Sequence, residues 1–288
     1  MYFKHQLSFC LLFSLIGISN AQVDSTERLF KISSVSIGGG VLTNQNPPIS
    51  QDDYKKIAPN NSLVNADLTG FKNNLNGLNI GGYFTMNVGF KKLHKKDYVY
   101  SFRVEHRIGI RFLSETILSS PYSLMDLKYY DSLKIGSTMH HNVSIDTTKN
   151  YSYDITNSIF MFDLGSIYQS DPRRLFTAYV GYNIGLGTSL SSYATAYYHS
   201  NVVIRTSTIH DEKDVDSKFE ETSLRNSFVM NGSVLWGANI RFSKRKKFWN
   251  KTSMNLEGRF GANSQNVPNY KNFTRITISA HLSFRFLL

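Results

Sequence analysis

The chain has 288 residues, a formal net charge of +11 and an aromatic share of 14%, with 17 Tyr and 20 Phe but only six prolines. Its single cysteine, Cys10, excludes a disulfide framework and a cysteine-built metal centre. Past the first residues there is no apolar run of the roughly 20 residues that a spanning helix needs, so a helical membrane protein is excluded too.

In chain order, Met1 to Ala21 comes first. Lys4 and His5 precede the apolar stretch Leu7 to Ile18, and Ser19-Asn20-Ala21 follows. This reads as a secretory signal peptide with cleavage expected after Ala21, leaving residues 22–288 as one exported domain. Cys10 lies inside the apolar stretch rather than just after it, so no lipid-anchored cysteine is expected and the mature chain has no thiol.

From there a period of two dominates, the signature of strands with one apolar face. A first strand is predicted over Ile32 to Leu42. In Leu78 to Phe90 the even positions Leu78, Ile80, Phe84, Met86, Val88 and Phe90 are apolar, and Asn79, Thr85 and Asn87 lie between them. Tyr98 to Phe112 repeats the pattern, with Tyr98, Tyr100, Phe102, Val104, Ile108, Ile110 and Phe112 set against Arg103, Glu105, Arg107 and Arg111. Lys91 to Asp97 joins these two as a hairpin. Ser158 to Tyr168 and Leu175 to Leu190 flank a turn at Asp171-Pro172. Phe228 to Phe242 and Thr252 to Ala262 flank Ser243 to Lys251. Phe273 to Leu288 closes the set of eight. Ser158 to Tyr168 is the weakest of them, because Ile159 and Met161 blur its polar face.

The joints alternate in length. Short ones carry the Lys91, Asp171 and Lys244 turns; long ones run over Thr43 to Gly77, Ser114 to Asn157, Ser191 to Ser227 and Asn263 to Asn272. Short periplasmic turns alternating with long outer loops suit a transmembrane antiparallel up-and-down β-barrel of about eight strands. Ten are possible if Ser114 to Asn157 holds a further hairpin. In the last strand Ile276, Ile278, Ala280, Leu282, Phe284, Phe286 and Leu288 alternate with Thr277, Ser279, His281, Ser283 and Arg285. This strand, and the layout as a whole, resembles the OmpA/OmpX-type outer-membrane barrels. The resemblance covers nearly all of the mature chain and is one of architecture, with no family-specific motif. It implies an assembly signal at Phe284, Phe286 and Leu288 for the barrel-assembly machinery, with Leu288 standing where an aromatic is usual. No peptidoglycan-binding tail is expected.

If the apolar faces meet lipid, the other faces fill a lumen just wide enough for side chains. The charges expected there are Arg103, Glu105, Arg107, Arg111, Asp163, Arg241, Glu257, Arg259, His281 and Arg285. Buried charges need partners. The expectation is a salt-bridge plug, with water or bound anions completing the pairing because arginines outnumber acids. The short turns hold Lys91, Lys92, Lys95, Lys96, Arg173, Arg174, Lys244, Arg245, Lys246, Lys247 and Lys251 against Asp97 and Asp171 alone, which is most of the net charge. Such a rim suits anionic lipid, or is simply a set of solvated turns. Bases confined to turn tips, in an exported chain, argue against nucleic acid.

Weaker signals have plain readings. His210-Asp211-Glu212-Lys213-Asp214-Val215-Asp216 lacks calcium-loop spacing and reads as a solvated acidic loop. His140-His141 is too little for zinc. Tyr193, Tyr197 and Tyr198 read as an aromatic girdle. His281 and Ser283 share a strand face, and some small outer-membrane barrels that act on lipid A acyl chains resemble this layout, but these two residues point into the lumen. The sequence therefore predicts a monomeric outer-membrane barrel that is not an enzyme, needs no cofactor and has outer-membrane lipid as its surroundings. Its role would be structural, adhesive or surface-recognising, towards an extracellular ligand the sequence does not name. The alternatives are a narrow passive pore or a membrane-embedded accessory of a secretion or assembly machine, with a lipid A-modifying enzyme third.

Overall fold

The computed structural model describes residues 30–45, 49–73, 78–92, 103–170, 174–206, 210–243, 247–267, 269–270 and 272–288. The expected leader Met1 to Ala21 lies outside the described residues, as do Tyr98, Tyr100 and Phe102.

Each period-2 run is a strand: β1 (Phe30–Gln45), β3 (Leu78–Lys92), β4 (Arg103–Ile135), β5 (Thr138–Gln169), β6 (Phe176–Arg205), β8 (Phe228–Arg241), β9 (Thr252–Asn266) and β10 (Asn272–Leu287). Neighbours in this series pair antiparallel, and β10 returns to β1 from Ser34↔Leu287 to Asn44↔Thr277. The sheet is a closed ring of eight. Closure matters because it leaves no row of unpaired N–H and C=O groups along the wall. Two further strands lie outside the ring: β2 (Lys72–Asn73), on β4, and β7 (His210–Ser223), on β6.

Two of the expected long loops are in fact strand. β4 runs for 33 residues, β5 for 32 and β6 for 30, so the predicted joint Ser114 to Asn157 is largely a continuation of wall strands, and Ser191 to Ser227 is the end of β6 followed by β7. The hairpin allowed for in the first joint lengthens β4 and β5 and adds no stave to the ring. Together β4, β5, β6 and β7 form a four-stranded blade beyond the barrel, tipped by the Gly136-Ser137 turn, where Gly136 has φ 62°. The signal was lost at two bulges. Pairing jumps from Thr116↔Thr156 to Leu118↔Ile155, and from Ser158↔Ser191 to Ile159↔Ser189. One extra residue, Ile117 in β4 and Leu190 in β6, inverts which parity faces inward. In β4 the buried series Glu105, Arg111, Leu113, Glu115 gives way to Leu118 and Ser120; in β6 Thr177, Tyr179, Asn183, Ser189 gives way to Ser192, Ala194, Ala196.

The segment between β1 and β3 folds over the barrel mouth. Helix α1 (Gln51–Ile57) is capped by Ser50, whose Oγ accepts from the Asp53 N–H at 3.1 Å, and carries acids in its first turn and lysines in its last. A 3-10 turn follows at Ser62–Asn65. Ile49, Tyr54, Ile57, Leu63 and Val64 pack on Ile117, Leu118, Tyr153, Ile155, Ala194 and Ala196 at the blade's root, with Val267 and Phe273 closing the side. This is a core of the soluble-protein kind, seated at one end of the barrel.

Candidate functional site: a layered lumen under a capped blade

Outside the wall, Phe84, Val104, Ile108, Phe112, Phe162, Leu164, Ile184, Trp236 and Leu282 are each at least 41% exposed. An apolar belt right round a closed sheet is far larger than the patches water tolerates, and it is the surface a bilayer requires. The facing read from the alternation is the facing observed.

Inside, the side chains stack in layers from the short-turn end. In the first layer Glu105 is completely buried and is the hub. The Arg285 guanidinium donates to it, Arg107 Nε lies 3.6 Å away, Lys91 Nζ lies 3.6 Å away, and Ser33 and Ser34 donate hydroxyls at 3.1 and 3.2 Å. Its carboxylate has room because Gly89 stands opposite, where a Cβ would come within 2.6 Å of Oε1. Arg107 links this hub to the next acid. Its Nη1 donates to Glu257 at 3.0 Å, where Arg259 Nε donates at 2.6 Å and the Tyr179 hydroxyl at 3.0 Å. Higher up, Arg111 holds Asp163 through two parallel bonds of 2.9 and 2.6 Å, and Asn183 donates to the same carboxylate at 3.1 Å. The rings of Tyr83 and Tyr179 lie against these guanidiniums: Arg111 and Arg259 sit 5.8 Å from the Tyr83 centroid and Arg107 5.2 Å from that of Tyr179.

Above the charges comes an apolar layer, Leu42, Leu113, Ile159, Met161 and Val229, against Tyr83. The lumen is thus not polar throughout. Ile159 and Met161, which blurred the alternation of β5, are lumen core. A last polar layer follows, in which Arg275 donates to Glu115 and Asn44 Nδ2 donates to the same carboxylate at 2.8 Å. The cap core seals that end.

Of the charges expected in the lumen, Glu105, Arg107, Arg111, Asp163, Glu257, Arg259 and Arg285 are joined as described. His281 is also inside, its ring stacked on Tyr83 at 5.6 Å and its Nε2 3.0 Å from Thr85 Oγ1. Arg241 is not among them: half-buried at the short-turn end, it donates to Asn250 Oδ1 at 2.9 Å. The Arg103 side chain lies outside the described residues. The sequence reading missed Arg275, which has the inward parity of β10 one turn before the alternation became clean. Tyr83 and Tyr179 share the inward parity of β3 and β6, but carrying no charge they were not among the expected lumen residues.

The basic turns divide. Lys91 is a lumen residue, bent inward to Glu105. Arg174 and Lys251 are exposed; the Lys92 and Lys247 side chains, and Lys95, Lys96, Arg173, Lys244, Arg245 and Lys246, lie outside the described residues. Residues Lys247–Lys251 form a short helix, α2, whose Phe248 and Trp249 are exposed beside Phe242. Phe284, Phe286 and Leu288 face outward near the same end, and the Leu288 N–H donates to the Ser33 carbonyl at 3.1 Å.

On the blade, the acidic stretch His210 to Asp216 is the start of edge strand β7, exposed throughout, and not a loop. Tyr193 lies just past the β6 bulge and faces outward. Tyr197 and Tyr198 lie farther along β6, where Tyr197 is exposed and Tyr198 faces the opposite side of the sheet, packing on Tyr151 at 4.6 Å. His140 and His141 sit near the blade tip, opposite Leu133 and Ser132. Among the described residues no group of three or more His, Cys, Asp or Glu is placed to hold a metal ion.

A closed eight-stranded ring with an apolar belt outside and a packed, charge-paired interior defines a transmembrane β-barrel. No known family pattern matches the chain, and no curated protein matches it. Among solved structures it is similar to Ail, the attachment invasion locus protein of Yersinia pestis, determined with the heparin analogue sucrose octasulfate: 8% identity over 90% of this chain and all of that one, TM-score 0.26. It is also similar to the translocator domain of autotransporter NalP from Neisseria meningitidis (8% identity, 98% and 96% covered, TM-score 0.19) and to OmpT of Vibrio cholerae, expressed in the outer membrane (7%, 92% and 99%, TM-score 0.16). The class assignment rests on the strand pairing and the belt.

Proposed function

We propose that the barrel is an outer-membrane anchor and that the capped blade is a recognition surface held outside the cell. One observation carries this reading: β4 to β7 continue as a hydrogen-bonded sheet far beyond the belt. From Leu118 to Ile135 the blade reaches roughly 50–60 Å at about 3.3 Å per residue. A rigid sheet of that reach has no use in spanning the bilayer, and a lumen filled layer by layer does not support the passive-pore alternative. Short basic turns at the opposite end then face the periplasm, and Phe284, Phe286 and Leu288 serve barrel assembly. Exported delivery by the Met1 to Ala21 leader belongs to the same reading.

The blade has two free sides of different chemistry. On β7, Asp211, Glu212, Asp214, Asp216, Glu220 and Glu221 keep the edge charged, which discourages pairing with another copy and suits a monomer. On β4 the edge past Ser123 is free of β2, and Met125, Leu127 and Tyr129 stand exposed along it; an extended partner segment could pair there. No catalytic role is proposed. His281 and Ser283 are buried in the lumen, and Glu257, directly across from His281 in the β9–β10 ladder, is already held by two arginines and a tyrosine.

The test is an epitope inserted between Gly136 and Ser137. Antibody should label it on intact cells, and removal of residues 120–152 should abolish adhesion to host-matrix-coated surfaces while the barrel still shows heat-modifiable migration. An epitope reached only after permeabilisation would reverse the orientation and end the proposal.

A further inference from the structure

A sheet edge presents backbone N–H and C=O groups that another strand can pair with, and folded proteins block such edges with charge, bulges or a covering segment. The blade's two edges differ in this respect. β7 is blocked by its acids, Asp211, Glu212, Asp214, Asp216, Glu220 and Glu221. β4 is covered by β3 as far as Ser114 and by β2 at Tyr122 and Ser123. Among the described residues nothing pairs with that edge over residues 125–135. This stretch carries two acids, Asp126 and Asp131, and two lysines, Lys128 and Lys134, so its charge is balanced. Asp126 lies 3.5 Å from Lys128 on the same face. On the other face Met125, Leu127 and Tyr129 stand exposed.

This edge is complementary to itself. A two-fold axis perpendicular to the sheet sets a strand antiparallel to its copy and keeps each face on its own side, so opposed residues must share parity. The β4–β5 ladder holds one register from Leu118↔Ile155 to Ile135↔Thr138, so parity is constant along the edge. Using residues 125–135 end to end puts the axis at Tyr130. Met125 then meets the partner's Ile135, Leu127 the partner's Leu133 and Asp126 the partner's Lys134, each contact made twice. Lys128 faces the partner's Ser132, and Tyr129 faces the partner's Asp131. The neighbouring registers are worse. An axis at Asp131 opposes Lys128 to Lys134 twice and Asp131 to itself; an axis at Tyr129 opposes Leu127 to Asp131 and makes no ion pair. Opposite charges and apolar pairs directly across a ladder stabilise it, and like charges there destabilise it.

We propose, building on the placement of the blade outside the cell, that its partner is a second copy of this chain on a facing membrane, paired antiparallel over residues 125–135 about Tyr130. Facing membranes follow from the antiparallel sense. β4 continues a tilted wall strand, and copies in one bilayer are related by an axis along its normal. With a wall tilt of about 35–45° their strands would cross at about 70–90°, which allows no ladder. Turning one strand end for end instead carries its barrel to the far side of the contact. Each barrel stays a monomer in its own bilayer. One short ladder is weak, but many between two membranes act together and strengthen attachment by about 10²–10⁴.

The protein is reconstituted into phosphatidylcholine vesicles, which give the basic turns no anionic bilayer to bridge, and an impermeant protease measures the share of blades facing outward. Energy transfer between two dye-labelled vesicle populations reads clustering. Wild-type vesicles should cluster. Asp126→Lys or Lys134→Asp alone should lower clustering about tenfold or more, because like charges then oppose each other twice. Vesicles of one variant mixed with vesicles of the other should recover it, since the two changes restore both ion pairs only across this register. Glu212→Gln, on the β7 edge, should cluster as wild type does. All three sites are exposed, and heat-modifiable migration checks that each barrel is folded. Wild-type vesicles that stay dispersed with their blades outward would overturn the proposal. So would single variants that still cluster, or a mixture that fails to recover. The vesicle result does not depend on where the blade lies in the cell, which the epitope between Gly136 and Ser137 decides, so the two failures are told apart.

Discussion

Replacing Glu257 by Gln keeps the shape of the side chain and removes one charge from the centre of the plug. The carboxylate accepts from Arg107 at 3.0 Å, Arg259 at 2.6 Å and the Tyr179 hydroxyl at 3.0 Å. The amide can offer one oxygen to these donors, while its NH2 must face a guanidinium. Removing one partner of a buried pair costs about 3 to 5 kcal/mol, chiefly because the other charge is left without compensation. For a chain of this size that corresponds to a fall of about 6 to 20 °C in unfolding temperature. Glu105→Gln should cost a similar amount, since Arg285, Arg107 and Lys91 all converge on it. Arg107 touches both acids, so the double variant should depart from additivity by about 0.5 to 3 kcal/mol. Glu212→Gln on exposed β7 is the control, expected within about 0.5 kcal/mol of wild type. The assay is heat-modifiable migration and circular dichroism in detergent, with planar-bilayer conductance in parallel. Unfolding temperatures of the lumen variants that equal the wild-type value, together with altered conductance, would mean a hydrated, screened lumen and would refute the plug.

Three further outcomes are expected. Phe84→Arg or Ile108→Arg should impair membrane insertion by about 2 to 4 kcal/mol, because a charge would face lipid near mid-bilayer; Met125→Arg, more exposed still but on the blade, should insert normally, and equal damage would place the blade in the membrane. Gly89→Ala should destabilise the barrel by about 1 to 3 kcal/mol, since the new Cβ would sit 2.6 Å from the Glu105 carboxylate, which thermal unfolding reads directly. In the cap, burial raises the Tyr153 phenol to about 12 and, with Asp154 nearby, lifts that of Tyr54 well above its usual range. Raised folded values favour the neutral phenols, so the cap's stability should be complete below about pH 10 and fall as pH rises towards 12. Tyrosinate absorbance and protease sensitivity of residues 49–66 should report cap opening while the barrel stays intact; a cap unchanged through that window would show that these phenols do not contribute.

How much of this was legible beforehand differs between wall and blade for a physical reason. In the wall, lipid on one side and a packed lumen on the other impose opposite chemistry on alternate residues. Local sequence therefore determined the strands, their facing and eight of the ten titratable residues expected in the lumen. Above the bilayer that constraint is gone. Both faces of the blade meet water or the cap, and single-residue bulges at Ile117 and Leu190 invert the parity. A run such as Leu118 to Ile135 then carries no period that a reader of one strand can follow, and the four-stranded sheet is specified only by cross-strand pairing. The same holds for partner choice inside the lumen. The sequence placed arginines and carboxylates on inward faces. Only closure of the ring decided that Arg107 would bridge Glu105 and Glu257, residues 150 positions apart in the Arg107–Glu257 pair, that Arg275 would meet Glu115, and that Arg241 would stay at the rim, because those distances are set by the register around the barrel and not by anything along one strand.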